Sequence, residues 1–469
     1  MRYFHGTMGH QKGLGHYCGV LGLFSPEPKK LLPMAFYGLY ALQHRGQEAA
    51  GVSFWNKQIQ TKKGAGLVFQ VLQQLPSDTT LTTCVIGHTR YSTSGGSASV
   101  NAQPIHIRCN RGEIAVAHNG NISNIHDIKK RLYDEGAIFQ TTSDTEVIVH
   151  LLSRVKPADF GEALYEVLKI LKGAFSLVLL FEEKLYVIRD PHGFRPLYYG
   201  QKEGIHLVAS ETCAFSMLGF EAEREVQPGE LLIFSQNGVE SKRFATPQPS
   251  HCVFELIYFA RPDSDVFHRN VYHFRKMIGQ ALAEVDPIDA DLVMPVPDSG
   301  NTAALGYAEA KKIPFELGLT RNHFSGRSFT LPIQEQRELM VRMKLHPIRK
   351  IIEGKRIVLV DDSLVRGTTS KILVKLLREA GTKEIHLRLS SPEIKYPCFF
   401  GIDMPSRKEL ISNQFDAHQL AKEIGADSVL FLPLNKLKEV TQTPHHYCFA
   451  CFSGTYPEKL DDENQKELI

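Results

Sequence analysis

The feature that most limits how this chain can fold is a change of rhythm at Thr246-Pro-Gln-Pro-Ser250. Prolines so placed disfavour helix and strand interiors, and the segment reads as a linker. Before it, short β-rich runs at 84–88, 113–117, 176–181, 185–189 and 230–234 are separated by Gly and Asn turns. Helical periodicity over 31–43, 125–135, 145–155 and 160–171 is interleaved with them, so a layered α+β domain is predicted over 18–245. After the linker, β-rich runs at 292–296, 356–360 and 384–390 alternate with helices predicted at 303–312, 369–380 and 417–424. That alternation indicates a parallel α/β sheet within 251–457. Residues 1–17 are Gly/His-rich without apolar periodicity and read as a removable leader or a disordered arm, while the charged tail 458–469 is expected to fray.

Composition narrows the function. The 469 residues are 43% hydrophobic and 22% charged, enough for large packed cores. Net charge is +3 with no dense Lys/Arg run, so nucleic acid is not an implied partner. The apolar stretch 175–181 is far too short to span a bilayer, and 1–17 has no apolar segment of the secretory kind. No membrane partner follows, and a cytoplasmic location is expected. Eight cysteines in this length do not make a disulfide scaffold, and a reducing compartment favours catalytic or metal-binding thiols.

Cys18, followed by Gly-Val and then by Gln43-His-Arg-Gly-Gln47, is the strongest candidate nucleophile. Once a short leader is removed, its own α-amine, with a pKa near ~8, can take the thiol proton, near ~8.5. Three further stretches add what amide hydrolysis requires: Gly87-His-Thr-Arg-Tyr-Ser-Thr93, His118-Asn-Gly-Asn121 and Thr142-Ser-Asp-Thr-Glu146. The Asn119 side chain and the bare Gly120 N–H can meet an oxyanion. Arg90 can grip a carboxylate in a fork, and Asp144 can hold an ammonium. Taken singly, Asn-Gly is a common turn and Asp144 a common helix N-cap.

Together, and with Asp190-Pro-His-Gly-Phe-Arg-Pro196 and Ala209-Ser-Glu211, these stretches resemble the class II glutamine amidotransferases. The resemblance implies an Ntn-hydrolase fold, an αββα sandwich of two antiparallel sheets between helical layers. It implies Cys18 as nucleophile, Asn119 and Gly120 as oxyanion hole, Arg90 and Asp144 as glutamine clamps, and Arg45 and Gly46 lining the same pocket.

In the second half, Arg356-Ile-Val-Leu-Val360 runs into Asp361-Asp362-Ser-Leu-Val-Arg-Gly-Thr-Thr-Ser370 and an amphipathic helix. Strand, loop and helix N-terminus make an anion site, with Gly367, Thr368, Thr369 and Ser370 offering backbone and hydroxyl donors to a phosphate. The adjacent acids suit ribose hydroxyls and Mg²⁺. No Gly-Lys-Ser/Thr is present, so this is not a Walker loop. The stretch resembles the phosphoribosyl pyrophosphate (PRPP) motif of type I phosphoribosyltransferases. With Pro295-Val-Pro-Asp-Ser-Gly300 and Phe254-Glu-Leu-Ile-Tyr-Phe-Ala-Arg-Pro-Asp263, the whole chain is similar to the glutamine-dependent amidophosphoribosyltransferases. That resemblance implies PRPP contacts from Arg366 and Arg327 besides the phosphate loop, Mg²⁺ at Ser299, Asp361 and Asp362, and a homo-oligomer inhibited by purine nucleotides. It also implies synthesis of 5-phosphoribosylamine from PRPP, glutamine and water. One departure is visible: Asn322-His-Phe-Ser-Gly-Arg-Ser-Phe329 carries His323 and Phe324 where the family usually has Arg and Tyr.

Cys448-Phe-Ala-Cys451, with Cys252 and Cys398, can close a zinc site, hold an iron–sulfur cluster or remain unligated, and spacing alone does not choose. The resemblance implies a [4Fe-4S] cluster on these four residues, with structural Zn²⁺ as the alternative. Cys84, Cys109 and Cys213 match no such context and read as packing residues.

Overall fold

The computed structural model describes residues 18–91, 99–322, 341–461 and 464–465. His323, Phe324 and Arg327 therefore lie outside the described residues, as does the leader 1–17.

Two antiparallel sheets face each other in the first domain. In the seven-stranded one, Gly19–Lys29 runs between Ile205–Ala209 and Thr82–Arg90. In the six-stranded one, Gly173–Phe181 runs between Lys184–Arg189 and Gly112–Ile122. Gly173–Phe181 is buried at every position, because both faces of its sheet are covered. Val20, Phe24 and Ile86 from one sheet meet Ala115, Ala117, Val178 and Val187 from the other, closing a core between the sheets. Helices Leu31–Ala41 and Thr212–Leu218 cover the outer face of the first sheet. Ile125–Asp134, Glu146–Leu152 and Phe160–Leu168 cover that of the second. The predicted αββα layering is what forms.

The linker does not swing free. Gln248 N donates to Pro191 O (2.8 Å), Ser250 N to His192 O (2.8 Å) and Cys252 N to Phe194 O (3.1 Å), so it is laced along the first domain. Beyond it, four parallel strands, in the order Leu292–Pro295, Arg356–Asp361, Glu384–Leu389 and Ser428–Phe431, form the second sheet system. Side chains alternate across this sheet, as a two-residue period requires. Met294, Leu359 and Leu387 face the helices Thr368–Glu379 and Ala417–Ile424. Val293, Val358 and Val360 face Val271–Val285 and Asn301–Lys311.

The tail corrects one expectation. Leu460 is 6% exposed and packs with Ala174, Phe194, Phe399 and Phe400. Glu458 accepts from Gly173 N (2.8 Å) and Ser123 Oγ (3.3 Å) and pairs with His192 (3.2 Å). Charge alone suggested fraying; specific hydrogen bonds and an apolar anchor hold 458–460 instead, while 462–463 and 466–469 lie outside the described residues.

Candidate active sites and their junction

Cys18 stands immediately before the strand Gly19–Lys29, at the edge where Gly19 pairs with Thr89. This register puts the thiol beside the end of Thr82–Arg90, where Sγ donates to Tyr91 O at 3.6 Å. The opposite sheet contributes Gly112–Ile122, on which Asn119 pairs with Ser176 and Gly120 with Phe175. Gly120 is obligatory: its φ is +148° and a Cβ would fall 2.0 Å from Ala174 O. Asn119 is wholly buried, and among the described residues neither atom of its side-chain amide has a hydrogen-bond partner. Buried amides are normally satisfied, so an orphan next in sequence to Gly120, which shares a cleft with Cys18, marks a group held ready for a ligand.

Cys18, Arg90, Tyr91, Gln103, His118, Gly120, Ser143 and Asp144 line a narrow cleft. Asp144 is no N-cap: its Oδ2 accepts from Ile122 N (3.0 Å) and stands 3.6 Å from His118 Nδ1. Burial pushes its carboxyl up, but the His118 ring and the Ile122 N–H outweigh burial and hold it below the usual carboxylate value. Asp144 is thus kept anionic, as a clamp for an ammonium must be. Burial pushes the Cys18 thiol up, against the opposing hydrogen bond to Tyr91 and the charge of Arg90. A thiol so placed needs a base. Gln103 was missed in the sequence. It takes His118 N on Oε1 (2.8 Å) and gives Nε2 to Thr145 Oγ1 (3.0 Å), bridging the strand of Asn119 and Gly120 to the Asp144 turn.

Arg45 and Gly46 do not line this cleft. The Arg45 guanidinium is fully buried behind it, donating from Nε to Cys18 O (3.0 Å), from Nη1 to Glu211 and to Glu255 Oε2 (3.0 Å), and from Nη2 to Glu255 Oε1 (2.7 Å). It is a bolt between the nucleophile and the second domain. Gly46 lies flat on the neighbouring strand, where a Cβ would come within 2.6 Å of Arg90 N.

In the second domain the strand Arg356–Asp361 delivers Asp361 and Asp362 to the loop before the helix Thr368–Glu379. Gly367 enters that helix at φ +72°, which leaves Thr368, Thr369 and Ser370 in its first turn. Burial and the charge of Asp362 drive the Asp361 carboxyl well above its usual value. Asp362 is raised by burial too, offset by hydrogen bonds from Ser299 and Ser363 and by the charge of Arg275. Two adjacent carboxylates with Ser299 alongside are a donor set short of positive charge, which a hard divalent cation fits. Arg366 is engaged with Glu409 at 3.1 Å. Arg275 went unnoticed in the sequence. It is buried behind the acids and anchored on Leu256 O (2.9 Å) and Ala260 O (2.8 Å).

The two sites adjoin. Tyr258, on the helical turn Glu255–Phe259, is raised first by burial and then by the charges of Asp362, Asp361 and Tyr91, so it lies within electrostatic reach of both sites. Tyr91 is the residue whose carbonyl receives the Cys18 thiol.

Four thiols collect at the same junction. Cys252 and Cys448 are register partners in a short parallel bridge. Cys451 lies on the following turn, and burial and then the charges of Cys398, Cys448 and Cys252 raise its thiol. All four are free of disulfides. Among the described residues no three His, Cys, Asp or Glu side chains stand close enough to clasp a single metal ion. The thiols therefore share one buried neighbourhood without forming a tight single-ion cage. Cys84 and Cys213 are buried packing residues, and Cys109 is half-buried.

Residues 88–217 match the glutamine amidotransferase domain family. A chloroplastic amidophosphoribosyltransferase of Glycine max is 46% identical over 457 residues, which are 96% of this chain and 80% of that protein. The Bacillus subtilis amidophosphoribosyltransferase is 44% identical over 457 residues, covering 96% of each. The solved structure of the B. subtilis glutamine PRPP amidotransferase, complexed with ADP and GMP, superposes with a TM-score of 0.88 at 43% identity, covering 95% of this chain and 98% of that one. The chain belongs to the amidophosphoribosyltransferase family of purine biosynthesis, and it is a glutamine-dependent PRPP amidotransferase.

Proposed function

We propose that the two adjoining sites run one coupled reaction, with roles as follows. Arg90 and Asp144 hold the carboxylate and ammonium of glutamine. The Cys18 α-amine, freed by removal of 1–17, takes the thiol proton, and Sγ attacks the side-chain amide carbon. Asn119 Nδ2 and Gly120 N–H meet the oxyanion. The C–N bond then breaks, ammonia leaves with the returned proton, and water releases glutamate from the Cys18 thioester. Next door, the first turn Thr368-Thr369-Ser370 seats the 5-phosphate, and Asp361 and Asp362 seat the ribose hydroxyls. Magnesium at Ser299, Asp361 and Asp362 would supply positive charge against the departing diphosphate. Ammonia forms the new bond at C1 as the bond to diphosphate breaks. Ammonia in open water is mostly ammonium, so Tyr258, shared between the sites, marks the dry route it takes.

The observation that carries this reading is the adjacency itself: the Cys18 thiol donates to Tyr91 O, and Tyr258 lies within electrostatic reach of Tyr91 and of the Asp361–Asp362 pair. The test is synthesis from glutamine or from high ammonia. Cys18→Ala should abolish the first and spare the second. Equal loss of both in a folded variant would separate the thiol from the assignment. Intact mass of active enzyme should begin at Cys18.

For the four thiols the reading is [4Fe-4S]. Anaerobically purified protein should be brown, with about four irons and four sulfides per chain. Colourless protein with stoichiometric zinc would establish the structural alternative. ADP and GMP bound to the B. subtilis relative point to purine nucleotides as inhibitors here. Free buried thiols suit a cytoplasmic, reducing location. Among the described residues no helix is long and apolar enough to cross a membrane.

A further inference from the structure

The hairpin that carries Asn119 and Gly120 is gripped from behind by residues of the other domain. Asn121 Nδ2 donates to Phe399 O at 2.9 Å. Arg195, fully buried, donates to Phe400 O, and Phe194 stacks on Phe400 with centroids 4.3 Å apart. Gly401, at φ +103°, lies so close that a Cβ there would sit 3.0 Å from Gly120 C, 3.2 Å from Gly120 O and 3.0 Å from Arg195 Nη2. On the paired strand, Glu458 takes Gly173 N at 2.8 Å and reaches Ser123 Oγ at 3.3 Å. Gly173 is the register partner of Ile122, whose N–H holds Asp144.

We propose that the second half of the chain is the rear wall of the oxyanion hole. Asn121, Gly401 and Glu458 are positioning residues: they touch no substrate and fix the Asn119–Gly120 peptide against Cys18. An oxyanion hole works through donors already aimed before charge develops, so its backing matters as much as its donors. The strand has an unusual need of support, because among the described residues the Asn119 side-chain amide has no hydrogen-bond partner to lock it. Packing behind it has to do that work. The consequence is a division within glutamine use: the clamps Arg90 and Asp144 belong to the first domain, whereas the electrophilic half is trued by the second.

The inference rests on the reading of Asn119 and Gly120 as the oxyanion hole, and the experiment separates the two. With PRPP saturating, glutamine hydrolysis is measured for Gly401→Ala, Asn121→Ala, Glu458→Gln and Asn119→Ala, alongside ammonia-dependent synthesis and the rate of Cys18 alkylation by iodoacetamide. Gly401→Ala should lower kcat for glutamine by roughly 10- to 100-fold, since a small misplacement of donors is costly. KM for glutamine should stay within about 2-fold and ammonia-dependent synthesis should persist, because neither the clamps nor the PRPP site moves. Alkylation should keep its wild-type rate, because that reaction makes no oxyanion. Asn121→Ala and Glu458→Gln should show the same kcat-only pattern at smaller size, and they decide the matter if Gly401→Ala does not fold. Unchanged kcat in all three rear-wall variants, with Asn119→Ala strongly impaired, overturns the rear wall and keeps the oxyanion hole. An unimpaired Asn119→Ala overturns the oxyanion reading itself. A rise in KM matching the loss in kcat/KM also overturns the inference, since the damage would then lie at the clamps.

Discussion

Asn119 pays for its place twice, once in being buried and once in being unbonded. An unsatisfied buried amide costs about 1–3 kcal/mol. Asn119→Ala should therefore leave the melting temperature unchanged or raise it, while kcat for glutamine hydrolysis falls roughly 10²- to 10³-fold. Calorimetry and a glutaminase assay on one preparation check both halves. Asp361 and Asp362 are strained in a different way: burial raises both carboxyls, and at Asp361 the charge of Asp362 adds to it. Asp361→Asn should relieve that strain and stabilise the ligand-free protein, and Asp361→Asn and Asp362→Asn should each cripple PRPP use with either nitrogen source. Unaltered PRPP kinetics in both would remove the acids from the site. These candidate residues stood out in the sequence because each sits in a short local motif whose residue types suit the proposed chemistry. Arg45 was not. Its partner Glu255 lies 210 positions away, so nothing near it announces that its charge is spent on an ion pair.

At the scale of elements, the Arg45–Glu255–Glu211 group joins the loop after Leu31–Ala41 to the turn Glu255–Phe259 of the other domain. Burial opposes the guanidinium charge, and the two carboxylates overcome it. Removing only the cation leaves Glu211 to His44 (2.8 Å) and Glu255 to the more distant Arg195 (3.7 Å), both acids still buried. Arg45→Met should cost about 3–5 kcal/mol in stability, read from the urea midpoint. A loss under ~1 kcal/mol, the size of a surface pair, would contradict the burial described here. The strands and helices themselves were largely legible, since periods of two and 3.6 residues follow directly from burying one face. What periodicity could not give was the edge strand Gln58–Ala65, whose exposure alternates without an apolar partner row, or the docking of the tail.

Across the whole molecule, the tail fastens the two domains through His192 and Glu458. His192 faces Asp190, Glu458 and the Gln248 carbonyl; burial lowers its pKa, and these partners outweigh burial and raise it. A histidine whose folded pKa is raised gives stability that is full below its unfolded value, ~6.5, and lost as pH climbs through the folded value. Asp190 is raised by burial to about 6, so its share also declines with rising pH, from its unfolded value near 3.8 up to about 6. Above that window only the His192 contribution still changes. Between pH 6.5 and 8.5, wild type should lose roughly 1 kcal/mol more stability than Glu458→Gln. Identical pH profiles would mean that the pair does not form in solution.

The grip of residues 399–401 and Glu458 on the oxyanion hairpin also has a meaning in time. Asn121 and Phe399 are 278 positions apart, and Gly173 and Glu458 are 285. A ribosome releases the amidotransferase domain long before either contact can close, and domains generally fold as they emerge, N-terminal first. A nascent first domain can thus be folded and still be a poor glutaminase. The chain begins to spend glutamine only when the half that uses the ammonia has been made.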